Sequence, residues 1–329
     1  GVKCTNKFKR IFILFLMTAL VLTTLTGCGS KEYTFGYDRS RNNSGFSTAS
    51  HTVGNTADSF ASELCVTTKD VTSGTDVDMS AATAAGLFDI SQKNVIYAKS
   101  VHEKLNPASL TKILTALCAL EHGNLDDVLT ASPNVHIEES GAVKLGIEEG
   151  DTMTLEQALH ALMLKSSNDV AVLIAEHIGG SVEEFADLMN ETANRLGATN
   201  SHFVNPHGLT DPNHYTTAYD LYLICNAAVK HDKFVEIIHT ASYNSVYHDK
   251  DGNEKTMDMA NSNAYIKGEA FAPNNVTVIG GKTGTTNAAG NCLVIYSKNS
   301  AGNPYISVVL QAPDRTTMYT EMTDLLGEI

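Results

Sequence analysis

Ser109 and Lys112 are three residues apart, a spacing that puts both side chains on one face of a helix with Cβ atoms about 5–6 Å apart. A serine hydroxyl becomes a useful nucleophile when a neighbour takes its proton, and a lysine amine can do so once it is neutral. Lysine ordinarily titrates near ~10.4. Burial, a second cation and a helix N-terminus all lower that value. First-turn amides lack partners inside the helix, so the N–H of Ser109 is free to face a developing oxyanion. The same spacing is common on surface helices, so its meaning depends on what else the chain brings to it.

The element that must position the pair is Asn106 to Gly123, NPASLTKILTALCALEHG. Pro107 suits a first helical position with Asn106 as cap. Leu110, Ile113, Leu114, Leu117 and Cys118 recur at helical spacing, and Gly123 is a stop signal, so a helix is predicted over about 107–121. A hairpin is predicted in 84–100, two apolar runs around Ser91 to Asn94. Thr154, with Gln157 as capping-box partner, opens a second helix running to Lys165. A third follows over about 169–177. Both are apolar nearly all round and should be buried. Between them lies the polar break Ser166-Ser167-Asn168.

Further on, 205–217 reads as a turn-rich loop, 218–230 as a helix, and 241–247 as a strand before a turn at Asp251-Gly252. Val276 to Thr286, VTVIGGKTGTT, is a strand by its β-branched residues. Strict alternation puts Val276, Val278 and Lys282 on one face, Thr283 and Thr285 on the other. A hairpin around Gly302-Asn303 joins 291–299 to 305–311, and a last helix covers about 316–326.

Ser109-Leu110-Thr111-Lys112, Ser166-Ser167-Asn168 and Lys282-Thr283-Gly284 thus follow in order, a set known from penicillin-binding proteins and class A β-lactamases. With their surroundings NPASLTK, SSNDVAVLIAEH, FVNPHGL and GGKTGTTNAAGNC, residues 84–326 resemble the low-molecular-mass penicillin-binding proteins, the serine D-Ala-D-Ala carboxypeptidases. The resemblance implies an α/β (α+β) fold: an antiparallel sheet flanked by helices, with an all-helical subdomain inserted after the nucleophile helix. It makes Ser109 the acylated nucleophile, Lys112 its base and Ser166 a proton relay to the departing amine. Asn168 would hold the substrate amide. Lys282 would depress the Lys112 pKa and attract the terminal carboxylate, with hydroxyls from Thr283 and Thr285 around Gly284. The amides of Ser109 and Thr285 would form the oxyanion hole. Peptidoglycan stem peptides would be substrates, β-lactams inhibitors, and no cofactor or metal is implied. Ser167 replaces the glycine or aspartate common in relatives, a change expected to be tolerated.

Two other readings share these motifs. A class A-like β-lactamase needs a carboxylate-bearing loop for deacylation, and Asp211 is the one acid in the corresponding stretch NPHGLTDPNHYTT. A catalytically silent peptidoglycan-binding lipoprotein would have no use for Ser109, Lys112 and Lys282 together.

The first 28 residues differ in kind. Lys3, Lys7, Lys9 and Arg10 precede a mostly apolar run from Ile11 to Thr26, too short to span a membrane comfortably. Leu25-Thr26-Gly27-Cys28 resembles the lipobox of bacterial lipoproteins, which implies lipidation of Cys28, and two acyl chains suffice for stable anchoring. Residues 29–60, rich in Gly, Ser, Asn and Thr, are expected to be a flexible tether, leaving 61–329 as the catalytic domain at the outer face of the cytoplasmic membrane. Many carboxypeptidases of this kind continue into a β-rich domain and an amphipathic anchor, whose place the lipid would take.

The chain of 329 residues carries 23 basic and 37 acidic residues, and setting aside the leader's four leaves 19 against 37. That balance excludes a nucleic-acid binder working through a basic patch. Cys118, Cys225 and Cys292 fall in apolar runs and are expected to be buried thiols, with Cys65 unassigned. His202, His207 and His214 match no standard zinc spacing.

Overall fold

Hydrophobic residues occupy successive positions in the central strands, because both faces of their sheet are covered. The computed structural model describes residues 61–72, 74 and 76–329, so the expected leader, Cys28 and the tether lie outside the described residues. Strands β1 (Ala84–Asp89), β2 (Asn94–Lys99), β7 (Val276–Thr286), β8 (Gly290–Asn299) and β9 (Pro304–Ala312) form an antiparallel sheet in the order β2-β1-β9-β8-β7. Leu87, Leu293, Ile295 and Val309 point to one side, where Met318, Met322, Leu325 and Leu326 of the C-terminal helix Arg315–Leu326 meet them. Each such buried side chain contributes about 1.5–3 kcal/mol. Phe88, Val294, Ile306 and Val308 point to the other side, against the helix Thr111–His122 (α1) and the helix Ala218–Ala228 (α5). Phe88 stacks on Tyr222 of α5 at 4.2 Å.

Between α1 and β7 the chain adds a second layer of elements. Thr154 caps α2 (Leu155–His160) as its sequence predicts, accepting from the Gln157 N–H at 3.2 Å while Gln157 Oε1 accepts from the Thr154 N–H at 2.9 Å. The helix then widens into a π turn, Ala161–Lys165, before α3 (Asn168–Gly179) and α4 (Val182–Arg195). After α5 come α6 (Asp232–His239) and α7 (Ala264–Lys267), and the C-terminal helix is α8.

The inserted region, expected to be all-helical, also carries a four-stranded sheet. Its order is β3-β4-β5-β6, from Val128–Thr130, Thr152–Thr154, Ser242–His248 and Glu254–Ala260. Two of these strands are three residues long, and Glu254–Ala260 is the mostly polar EKTMDMA, a poor strand signal in isolation. In the main sheet, the interior hairpin of β8 with β9 and the hairpin of β1 with the edge strand β2 form where the sequence places them.

Candidate active site

The helix that carries Ser109 does not start at Pro107. Ala108 takes a left-handed φ of +48°, Ala108–Leu110 form a 3-10 turn, and the α-helix begins at Thr111. Asn106 still serves the turn, its Oδ1 accepting from the Ala108 N–H at 3.0 Å. A non-glycine residue in this region costs about 1–2 kcal/mol. The surroundings hold it there: Gly208, itself at φ +90°, approaches so closely that a methyl carbon on it would sit 1.8 Å from the Ala108 carbonyl oxygen.

Lys112, fully buried, brings its Nζ within 2.9 Å of Ser109 Oγ, 2.7 Å of Asn168 Oδ1 and 2.7 Å of the His207 carbonyl oxygen. The last two atoms can only accept. A neutral amine has two hydrogens and one lone pair, so donation to Asn168 and His207 leaves the lone pair for the Ser109 hydroxyl proton. The pKa supports that state: burial first, then the charge of Lys282, hold Lys112 well below the ordinary lysine value, against an opposing pull from Asp169.

Lys282 reaches the site because β7 is not regular. Val278 pairs with Ser297 but Gly280 pairs with Tyr296, so Ile279 is an extra residue and the alternation reverses beyond it. Val276 and Val278 therefore face α8, whereas Lys282, paired with Val294, faces the helices around Ser109. The shared face predicted for Val276, Val278 and Lys282 is corrected by this bulge. Lys282 Nζ donates to Ser166 Oγ at 3.0 Å and to the Thr283 carbonyl at 2.8 Å, and burial lowers its pKa to about 7.

Ser166 stands at φ +65°, ψ +37° directly after the π turn, where the chain breaks before α3. Asn168 opens α3 and its N–H donates to the Val143 carbonyl at 2.9 Å. The hydroxyl of Ser167 is buried without a partner. Asp169 was not among the residues singled out from sequence. Its carboxylate accepts from the backbone N–H groups of Leu145, Gly146 and Ile147 at 3.0, 2.7 and 3.1 Å, fixing the loop before α2 against α3.

These elements enclose a cavity of about 500 Å³ lined by Ser109, Asn168, Leu209, Thr285 and the stretches 139–143 and 286–288. On its β7 side, a side chain on Gly284 would begin 2.9 Å from the Ser109 nitrogen, so the strand backbone runs directly beside the turn that carries Ser109. Thr285 Oγ1 lies 3.2 Å from Asn291 Oδ1. Lys112, Ser166 and Lys282 lie behind the cavity wall and do not line it; Thr283 does not line it either, its hydroxyl lying 3.2 Å from that of Ser262 and its register partner Leu293 facing α8. The arrangement provides a serine hydroxyl, an amine of lowered pKa touching it, and a second lysine hydrogen-bonded to the Ser166 hydroxyl, features that acyl transfer can use.

Of the three histidines, His207 gives its carbonyl to Lys112 and its Nδ1 to the Leu209 N–H. His202 contacts the Asn213 carbonyl through Nδ1. Cys118, Cys225 and Cys292 are buried and unpaired, as is Cys65; burial pushes the first three up to about 12, 12 and 11, which makes them unreactive.

A family model described as D-alanyl-D-alanine carboxypeptidase matches residues 70–314. D-alanyl-D-alanine carboxypeptidase DacF of Bacillus subtilis (strain 168) is 34% identical over 250 residues, 74% of this chain and 61% of that protein. DacC of Escherichia coli (strain K12), of the same description, is 30% identical over 249 residues, 73% of this chain and 59% of that protein. The chain thus spans about three fifths of the length of these relatives. Among solved structures, the Streptomyces K15 DD-transpeptidase superposes with a TM-score of 0.71 at 27% identity, covering 77% of this chain and 98% of that one.

Proposed function

The chain belongs to the D-alanyl-D-alanine carboxypeptidase family, and from that premise we propose that it removes the terminal D-alanine of peptidoglycan stem pentapeptides through an acyl-enzyme on Ser109. The observation that carries this reading is the set of three contacts of Lys112 Nζ: with Asn168 and the His207 carbonyl accepting two hydrogens, the amine once neutral turns its lone pair to Ser109.

In the first step Ser109 Oγ attacks the carbonyl of the penultimate D-alanine while Lys112 takes the hydroxyl proton. Negative charge developing on the carbonyl oxygen is met by the N–H groups of Ser109 and Thr285. The C–N bond breaks, the D-alanine nitrogen receives a proton by way of the Ser166 hydroxyl, and D-alanine leaves. Water then attacks the ester carbonyl as Lys112 takes its proton, the bond to Ser109 Oγ breaks, and Lys112 returns the proton to Ser109 Oγ, which frees the serine and the shortened peptide. Lys282, with the Thr285 hydroxyl, receives the terminal carboxylate, and Asn168 holds the peptide amide. A β-lactam presents the same acyl carbon and carboxylate and stays on Ser109 as a slowly cleared ester.

The same proposal places the enzyme outside the cytoplasmic membrane of a bacterium, held by lipid on Cys28, because the leader ends in Leu25-Thr26-Gly27-Cys28. Incorporation of labelled fatty acid into the wild type but not into Cys28→Ala tests the anchor. The activity is tested by D-alanine release from a peptide ending in Lys-D-Ala-D-Ala. Release by the wild type and none by Ser109→Ala supports the carboxypeptidase; rapid β-lactam turnover without D-alanine release would replace it with a β-lactamase.

A further inference from the structure

A histidine with no part in these steps is tied to the same turn of the helix. His214 is 1% exposed. Its Nδ1 accepts from the Val204 N–H at 3.1 Å and its Nε2 lies 2.8 Å from Thr111 Oγ1. Since Nδ1 accepts, Nε2 carries the ring proton and donates to Thr111. The edge contact with Phe203, 5.4 Å between ring centres at 85°, fixes the ring plane.

Thr111 is fully buried, is the first residue of α1 and stands between Ser109 and Lys112. Segment 205–214 grips that helix at three further points. Thr115 donates to the Pro206 carbonyl at 2.6 Å, Lys112 reaches the His207 carbonyl, and Gly208 closes on Ala108. Those three use the loop's backbone; the fourth uses the His214 side chain. A turn entered through a left-handed alanine has no regular helix before it to set its direction, so its direction comes from such contacts.

We propose that His214 is a positioning residue, which through the Thr111 hydroxyl fixes the orientation of the Ser109–Lys112 pair. The proposal rests on Ser109 being the acylated nucleophile. Asparagine at 214 can keep an acceptor where Nδ1 is but cannot reach Thr111, whereas glutamine can place a donor where Nε2 is.

The test measures penicillin acylation and D-alanine release per titratable Ser109, beside the melting temperature. His214→Asn should acylate at least about tenfold more slowly with KM for the peptide little changed, as a sub-ångström misplacement of reacting groups implies. His214→Gln should recover most of the rate, Thr111→Val should match His214→Asn, and the double variant should be no slower than either single one. Equal rates for the Asn and Gln variants, additive losses, or losses that only follow the melting temperature would overturn the proposal. A wild-type protein that penicillin does not acylate would overturn the nucleophile assignment and this proposal with it.

Discussion

Gly284 has its missing side chain directed at Ser109: a Cβ there would begin 2.9 Å from the Ser109 nitrogen and 3.1 Å from that of Leu110. The neighbours are backbone and cannot step aside alone. Gly284→Ala should therefore push β7 away from the nucleophile turn, slowing penicillin acylation about a hundredfold while costing about 1–3 kcal/mol of stability. Acylation kinetics beside a urea melt decide it; an unchanged rate would show that the two backbones need not be so close.

Lys282 links stability to pH with a definite sign. Its pKa is about 7 in the fold and ~10.4 unfolded, so between those values the unfolded chain binds more protons and the fold gains stability as pH rises. The contribution reaches about 1.4 kcal/mol per pH unit for one full proton. Lys282→Met should flatten the rise in urea midpoint between pH 7 and 9, and an undiminished slope would assign the effect elsewhere.

The same substitution removes the charge that, after burial, helps lower the Lys112 pKa. Activity falls as pH drops through the Lys112 pKa, since a protonated amine cannot take the serine proton. In Lys282→Met that acid limb of the acylation rate should move to higher pH, and a limb that stays in place would separate Lys282 from the tuning of Lys112.

At Ser166 the backbone and the hydroxyl make separate demands. Its φ of +65° favours glycine over alanine, so Ser166→Gly should be more stable than Ser166→Ala by about 1 kcal/mol. Both lose the oxygen that Lys282 contacts, and both should release D-alanine slowly. Melting curves for the pair, with turnover, distinguish the two roles.

Asp169→Asn should loosen a wall of the cavity. An amide has one acceptor oxygen for the N–H groups of Leu145, Gly146 and Ile147, and its NH₂ would face a donor. The expected cost is about 2–3 kcal/mol, with faster hydrogen exchange at Gly146 and Ile147. Unaltered exchange at those amides would mean that the loop is held by other contacts.

Signals written within a few residues were legible in the sequence. Thr154 with Gln157, the Ser109–Lys112 spacing and the β8–β9 hairpin each depend on near neighbours, and each takes the expected form. What depended on distant chain was hidden. Ala108 is held left-handed by Gly208, a hundred positions away in the sequence. Asp169 acts on amides over twenty residues earlier. The bulge at Ile279 reverses the faces of β7 only because Tyr296 pairs with Gly280. The polar strand Glu254–Ala260 exists because β5 offers it a full ladder of partners.

The π turn at Ala161–Lys165 absorbs a residue. A π turn holds one residue more than the α turn it replaces, so it takes up that residue while the chain on either side keeps its course. The surplus lies directly before Ser166 and Asn168. A chain with one residue fewer in 161–165 would close the turn to ordinary α-helix and still bring its serine to Lys282 and its asparagine to Lys112. The distance in sequence between the first two motifs therefore has slack built into the fold, and a mismatch in that count is no sign of a broken site.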